Sequence, residues 1–111
     1  MAIDKVKTYF RECGIGDRVL EFEVSSATVE LAAAAVGCEP ARIAKTLSFM
    51  VDGAPVLIVC AGDARIDNPK FKARFHEKAR MLPHERVQEI TGHPVGGVCP
   101  FAAGGASVYL D

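Results

Sequence analysis

The stretch that decides the fold is LSFMVDGAPVLIVC, residues 47–60. Asp52-Gly53 favours the tight turn of a β-hairpin, because both residue types tolerate the positive φ that such turns need. The segments on either side, 47–51 and 56–60, are rich in β-branched and large apolar residues, which favour strands. We therefore predict an antiparallel hairpin at the centre of the chain.

Helical patterns precede this hairpin. Asp4 is a good N-cap residue for a first helix, whose apolar positions recur at helical spacing until Gly14. Ser26 begins a second helix, which contains four consecutive alanines and ends at Gly37. A short third helix is expected around Glu39-Pro40, because proline suits the first helical position.

Two further helices and two further strands complete the predicted elements. Asn68-Pro69 and Leu82-Pro83 each begin a helix, and the second of these runs to Gly92. Residues 19–24 alternate between apolar and acidic side chains, which predicts a half-buried strand. Residues 108–110 are apolar and predict one more strand. Helices and strands therefore alternate along the chain.

Length and composition limit the possibilities. With 111 residues, the expectation is one domain over residues 1–111, and a hydrophobic content of 50% argues against disorder. No apolar run is long enough to span a bilayer, and the charged N-terminus is unlike a signal peptide. The four cysteines lack the spacing of a metal site or a disulfide framework, which indicates reduced thiols in a cytoplasmic protein without a metal.

Charge is distributed unevenly along the chain. The net charge is −1, which argues against a protein that binds long nucleic acids. Residues 65–86 nevertheless carry seven cations and three anions, a local charge of +4. This segment is either a solvated helix face or a patch that contacts a few phosphates, as at the end of a tRNA. In the second case, the expected tRNA contacts are Lys70, Lys72 and Arg74.

A glycine-rich and proline-rich segment, TGHPVGGVCPF at residues 91–101, is the main candidate for a binding loop. Gly96 and Gly97 permit close approach of the backbone to a ligand, and the prolines stiffen the segment. The loop amides are therefore suited to face an anion or a polarised carbonyl. The alternative is an ordinary tight turn. His93 is the histidine with a plausible site role, whereas His76 and His84 are expected to face solvent.

Lys45 is the second candidate. It lies between apolar residues at a predicted junction of helix and strand, with the hydroxyl residue Thr46 beside it. A lysine in such a place can extend its charged end to solvent. Alternatively, its ammonium lies in a cleft and supplies a point charge for a phosphate or a carbonyl oxygen.

These two motifs together resemble the YbaK/EbsC family, the free-standing relatives of the editing domain associated with prolyl-tRNA synthetase. The resemblance is carried by IAKTLSF at residues 43–49 and by the 91–101 segment, and AGDARID at residues 61–67 fits the same pattern. It covers nearly the whole chain in order. It implies hydrolysis of the ester that joins a wrong amino acid to tRNA, with no cofactor and no metal.

The resemblance also assigns roles to residues of this chain. It implies that Lys45, Gly96 and Gly97 are catalytic, with the two glycines nearest the scissile carbonyl. The substrate-binding residues that it implies are Thr46, Gly92, His93, Val98 and Pro100. Catalysis in the family is thought to use a positioned water or groups of the substrate, and this chain has no serine or cysteine triad.

The family fold is α+β, with a curved, mixed and mostly antiparallel sheet, a partial barrel, surrounded by helices. Family members continue several tens of residues beyond the position that corresponds to Asp111. The expectation is therefore a domain that lacks its C-terminal strands and has an open sheet edge. Such an edge favours pairing with another chain, so a homodimer is expected. Other implied partners are the aminoacylated 3′ end of tRNA and prolyl-tRNA synthetase. No association with a membrane is expected.

Three functions remain open at this point. The leading one is an aminoacyl-tRNA deacylase that edits in trans, on tRNA for proline. The second is a non-catalytic module that binds the aminoacylated 3′ end or a protein partner. The third is a thiol-dependent hydrolase that uses Cys99, although no histidine at a recognisable position activates that thiol.

Overall fold

The computed structural model describes residues 2–24 and 27–111, with the side chain of residue 2 excepted. These residues form four α-helices, two short 3₁₀ helices and three strands. The helices are α1 (Ala2–Glu12), α2 (Val29–Val36), α3 (Asn68–Phe75) and α4 (His84–Thr91), and the 3₁₀ helices are Gly16–Arg18 and Pro40–Arg42. The strands are β1 (Ala44–Val51), β2 (Ala54–Ala61) and β3 (Ser107–Leu110).

The sheet has the order β1-β2-β3. β1 and β2 form an antiparallel hairpin of eight residue pairs, and β3 adds four parallel pairs to β2. Asp52 and Gly53 at the turn have φ of 50° and 75°, the positive values that a type I′ turn needs. The predicted hairpin is thus confirmed, and so is the prediction of an α+β fold with a mixed sheet.

The outer edge of β1 is partly paired. Residues 80–82 run alongside it, where Met50 N–H donates to the Arg80 carbonyl at 2.9 Å and Leu82 N–H donates to the Ser48 carbonyl at 3.1 Å. These bonds fix the start of α4 beside the middle of β1. They therefore determine which side chains of α4 can approach the strand.

The alternation of side chains along the hairpin separates two faces of the sheet. One face carries Phe49, Val56 and Ile58, which pack with Phe71 of α3 to form the main hydrophobic core. The other face carries Ser48 and Leu57, which are directly opposite each other in the register. Leu57 is completely buried there. Consequently, α3 covers one face of the sheet, and residues of α2 and α4 lie beside the other face.

Capping residues define the helix ends. Thr28 accepts a hydrogen bond from Leu31 N–H at 3.1 Å and begins α2, which ends at Gly37 in the left-handed conformation. Asp67 accepts from Lys70 N–H at 3.0 Å and begins α3. Gly92, with φ of 77°, ends α4 as the sequence predicts.

Three details of the sequence prediction need revision. Asp4 does not cap the first helix, because α1 already begins at Ala2 and Asp4 lies in its first turn. The second helix begins at Val29, and its predicted start at Ser26 lies outside the described residues. The strand that contains Lys45 begins three residues earlier than predicted, so Lys45 is the second residue of β1, close to the junction with the 3₁₀ helix that ends at Arg42.

The strand predicted at residues 19–24 is wrong. The structure has no strand there, and Leu20, Phe22 and Val24 are 70%, 42% and 63% exposed. Alternation makes a segment suitable for a half-buried sheet position, but a strand also needs a neighbour to pair with. None of the described segments pairs with residues 19–24.

β3 lies at the other side of the sheet. Its side chains Val108 and Leu110 are exposed, and β2 is its pairing partner among the described strands. Association of two chains through this edge stays a prediction. Within the described part of the chain, no helix has both the length and the apolar character needed to cross a membrane.

The stability of the fold is expected to depend on the aromatic core around α3. Phe71 is 5% exposed, and its ring centroid lies 5.0 Å from that of Phe49 and 4.6 Å from that of Phe75. Replacing Phe71 with Ala should lower the free energy of unfolding by about 3–5 kcal/mol, because it leaves a cavity in this core. Urea unfolding followed by circular dichroism measures the loss.

The control is Phe22→Ala, which removes the same atoms from a side chain that is 42% exposed. Its effect should be well under that of Phe71→Ala. Equal effects of the two substitutions would contradict the assignment of the core.

Candidate functional site

A cleft of about 320 Å³ lies on the face of the sheet opposite α3. Four segments form its walls: the start of α2, the start of β1, the region from Met81 into α4, and the glycine-rich loop. The main lining residues are Ala27, Thr28, Val29, Ala32, Lys45, Thr46, Ser48, Leu82, His84, Val87, Val95, Gly96 and Val98. Most of these are apolar, so the few polar groups determine what the cleft can recognise.

Lys45 supplies the cation of the cleft wall. Strand alternation places its side chain opposite Cys60, and its ammonium extends past the end of the sheet to the connection between β2 and α3. There it donates hydrogen bonds to the carbonyls of Gly62, at 3.1 Å, and of Ala64. An ammonium has three donors. One donor of Lys45 thus has no partner among the described residues.

Thr46 and Ser48 project from the cleft face of β1. Their separation by two residues puts both hydroxyls on the same side of the strand, roughly 7 Å apart. Thr46 is half-buried, and Ser48 is 6% exposed. His84 begins α4 at the mouth of the cleft and is exposed.

Two buried polar residues hold the glycine-rich loop in place. The Thr91 hydroxyl donates to the Val87 carbonyl at 2.8 Å and accepts from His93 N–H at 3.1 Å. The His93 side chain, in a residue only 1% exposed, has its Nε2 2.7 Å from the Phe101 carbonyl. This contact joins the two ends of the segment 93–101. The loop is therefore closed from within rather than left as a free connection.

The two glycines of the loop have different positions. Gly96 has φ of 86°, and a Cβ atom there would lie 3.1 Å from the Cβ of Ala27, so a side chain would be strained and crowded. Gly96 lines the cleft. The Gly97 amide instead donates to the Pro94 carbonyl at 2.9 Å, within the loop's own turn. Of the two amides, that of Gly96 makes no hydrogen bond with a described residue.

The structure brings together four of the residues predicted for the site, although the two motifs are about 50 residues apart. Those in the cleft wall are Lys45, Thr46, Gly96 and Val98. The others lie in the same loop but are not among the residues that line the cleft. Gly92 ends α4, and His93 is buried within the loop, while Gly97 and Pro100 follow in the same segment. Their predicted roles in binding and catalysis stay predictions.

Cys99 lies beside His93 in the folded loop. Its Sγ is 3.6 Å from Nε2 of His93. A carbonyl can only accept, so the Nε2 that contacts Phe101 carries the proton and cannot take one from the thiol. Burial raises the pKa of the Cys99 thiol, although its hydrogen bond to the Phe101 carbonyl opposes this. The pair therefore stabilises the loop and does not form an activated nucleophile.

The predicted tRNA contacts lie on another surface. Lys70, Lys72 and Arg74 are exposed on α3, across the sheet from the cleft. The Arg74 guanidinium lies over the rings of Phe75 and Tyr109, at 5.4 Å and 5.1 Å from their centroids. Arg74 thus also contributes to packing. The described residues contain no group of three or more His, Cys, Asp or Glu side chains able to hold a metal ion.

Sequence reasoning missed Ser48 and His84 as cleft residues. Ser48 belongs to the predicted hairpin, and the polar residue in an otherwise apolar strand was the available signal. His84 was expected to face solvent, and it is exposed, but the pairing of residues 80–82 with β1 brings it to the mouth of the cleft. That pairing joins segments about 30 residues apart, and local patterns do not report it.

Comparisons with known proteins identify the family of the chain. The sequence model of the aminoacyl-tRNA editing domain matches residues 23–111, and the chain belongs to this family. It is 52% identical to the uncharacterized protein YwhH of Bacillus subtilis over 113 residues, which span the whole chain and 72% of YwhH. It is 33% identical over 85 residues to the proline–tRNA ligase of Maridesulfovibrio salexigens, covering 76% of this chain and 15% of the ligase.

A solved structure described as a candidate trans-editing enzyme for prolyl-tRNA synthetase has the same fold. Its TM-score is 0.86 at 31% sequence identity, and the match covers 99% of this chain and 71% of that one. The resemblance to the editing domain associated with prolyl-tRNA synthetase is thereby confirmed.

Thiol labelling tests the structural role of Cys99. Because burial raises its pKa, the thiol stays protonated to higher pH and has less of the reactive thiolate near pH 7.5. Iodoacetamide should therefore alkylate Cys99 several-fold more slowly than the exposed Cys13. Mass spectrometry of peptides over time measures both rates, and the Cys99 rate should rise with pH and on addition of urea.

Cys99→Ala should leave any esterase activity of the chain unchanged. Rapid alkylation of Cys99 at neutral pH, accompanied by loss of that activity, would instead support a thiol nucleophile.

Proposed function

We propose that this chain is a trans-editing deacylase that hydrolyses the ester between a wrong amino acid and tRNA, with tRNA for proline as its substrate. The observation that carries the proposal is the shared cleft of Lys45, Thr46 and Gly96, in a chain of the aminoacyl-tRNA editing family. The similarity to domains within proline–tRNA ligases supports the choice of tRNA. The same similarity supports prolyl-tRNA synthetase as a partner.

Hydrolysis needs stabilisation of the negative charge that develops on the ester carbonyl oxygen. In the proposed mechanism, the remaining donor of Lys45 and the amide of Gly96 supply it. A water oxygen bonds to the carbonyl carbon, and the bond from that carbon to the terminal ribose oxygen breaks. The water's proton is transferred to that ribose oxygen, either directly or through His84 at the cleft mouth.

The hydrogen bonds of Lys45 to Gly62 and Ala64 are part of this proposal. They hold the ammonium in one position before substrate arrives, so that little reorganisation is needed during the reaction. Gly97 contributes by fixing the turn that presents Gly96. In the same proposal, His93 maintains the loop and does not touch the substrate.

Lys45→Ala should reduce kcat/KM for mischarged tRNA by about a hundredfold, the effect typical of removing one oxyanion donor. Single-turnover deacylation of radiolabelled aminoacyl-tRNA measures the rate. Arg18→Ala, which removes an exposed cation outside residues 65–86, is the control and should have wild-type activity. Circular dichroism should show that both variants are folded.

Full activity of Lys45→Ala would contradict the proposed role. If the wild-type chain bound aminoacyl-tRNA tightly without hydrolysing it, the protein would be a non-catalytic binding module instead.

The cations of α3 are proposed to contact the tRNA beyond its 3′ end. Replacing Lys70 and Lys72 with Gln should weaken the binding of full-length tRNA and reduce the slope of log K against log salt by roughly 1–2. Binding of a minimal aminoacyl-adenosine should be unchanged. Fluorescence anisotropy at several salt concentrations measures the slope, and Arg74 is retained because it packs on Phe75 and Tyr109.

A matched control removes two exposed cations elsewhere, Arg18 and Arg42, and produces the same change in net charge. The slope should change less in this variant. An equal reduction in both double variants would indicate a general charge effect and contradict a specific tRNA surface on α3.

A further inference from the structure

Ser48 is a nearly buried polar residue whose hydroxyl has no protein partner. The residue is 6% exposed and lines the cleft. Its backbone carbonyl accepts from Leu82 N–H, but its side chain makes no hydrogen bond with any described residue. Among the described residues, every side-chain oxygen or nitrogen that is fully buried has a hydrogen-bond partner. Because the Ser48 hydroxyl has no such partner, it is not fully buried, and the cleft is where it is accessible.

Much of the cleft lining that Ser48 shares is apolar. Leu82 and Val87, both buried, and Val98 line the same cleft. A polar group in such a place is usually matched by a partner, because leaving it unpaired is unfavourable. The partner here has to come from outside the described protein, since the cleft is the direction in which the hydroxyl is accessible.

The charged residues of the cleft lining limit which chemical group can be the partner of the Ser48 hydroxyl. The described lining residues include no Asp or Glu, so a substrate ammonium placed deep in the cleft would have no counter-charge. A neutral hydroxyl is a better match, because a serine side chain can both donate to it and accept from it.

The position of Ser48 along β1 limits the size of the substrate side chain. Lys45 and Thr46 lie at the end of the strand where the proposed mechanism places the ester carbonyl. Ser48 is one step along the same face from Thr46, roughly 7 Å away. A short amino-acid side chain with one hydrogen bond at its tip fits that separation.

We infer that Ser48 determines the specificity of the cleft, by forming a hydrogen bond with the hydroxyl of a seryl or threonyl group. This inference rests on the proposed deacylase function and adds its substrate class: amino acids with a short hydroxylated side chain, in preference to alanine. A site that hydrogen-bonds a substrate hydroxyl discriminates against an analogue without it, because the site's polar group is then left unpaired.

A matched pair of variants tests this inference. Ser48→Thr keeps the hydroxyl. Ser48→Val introduces a side chain of nearly the same shape as threonine but without the hydroxyl. Ser48→Ala removes the hydroxyl without added volume, and Ser107→Ala removes an exposed serine of β3 as a control. Thermal unfolding of each variant establishes that it is folded.

Two measurements are made on each variant. The first is single-turnover deacylation of tRNA for proline charged with serine or with alanine. The second is binding of the stable 3′-amide analogues of seryl-adenosine and alanyl-adenosine, by calorimetry, which requires no turnover.

The wild type, Ser48→Thr and Ser107→Ala should favour the seryl compound over the alanyl one by about tenfold, the value of one hydrogen bond. Ser48→Val and Ser48→Ala should lose this preference, with little change for the alanyl compound. The inference would be overturned if every variant retained the wild-type preference. It would also be overturned if all Ser48 variants lost binding and deacylation of the seryl and alanyl compounds equally.

The two measurements separate the inference from the function on which it rests. If the seryl analogue is preferred in a Ser48-dependent manner but no ester is hydrolysed, the proposed deacylase function fails and the binding specificity stands. If esters are hydrolysed without a Ser48-dependent preference, the deacylase function stands and the specificity fails. If neither analogue binds, the inference is overturned.

Discussion

The site depends on one hydrogen bond of a buried histidine, between the His93 imidazole and the carbonyl of Phe101. It joins the ends of a loop that contains two prolines and two glycines, and Thr91 fixes the start of the same loop on α4. Because His93 is almost completely buried, loss of this bond would leave polar atoms unpaired inside the protein. The loop is thereby held with Gly96 in the wall of the same cleft as Lys45 and Thr46.

The second determinant is the period of two in the β-hairpin. Alternation assigns Phe49 and its neighbours to the core under α3, and assigns Thr46 and Ser48 to the cleft. Lys45, on the core side, extends to the carbonyls of Gly62 and Ala64, in the connection that follows β2. One strand therefore supplies both the packing that stabilises the domain and the polar groups of the site.

The hairpin and the helix ends at Gly37 and Gly92 could be predicted because local chemistry determines them. The structure of residues 19–24 could not be predicted, because alternation of apolar and polar residues leads to a strand only where another strand is present to pair with it. The cleft was predicted in part: family resemblance placed Lys45 and Gly96 together. The roles of Ser48 and His84 depend on contacts between distant segments, and the pairing of Cys99 with His93 depends on how the loop folds back on itself.

The central claim is that the Lys45, Thr46 and Gly96 cleft is where the aminoacyl end of tRNA binds. The most direct test is a titration of the ¹⁵N-labelled protein with a non-hydrolysable aminoacyl-adenosine amide, followed by amide chemical shifts. The account predicts that the largest saturable shifts occur at Thr46, Ser48 and Gly96. Shifts confined to the α3 face, around Arg65 and Lys70, with an unchanged Gly96 amide, would contradict it.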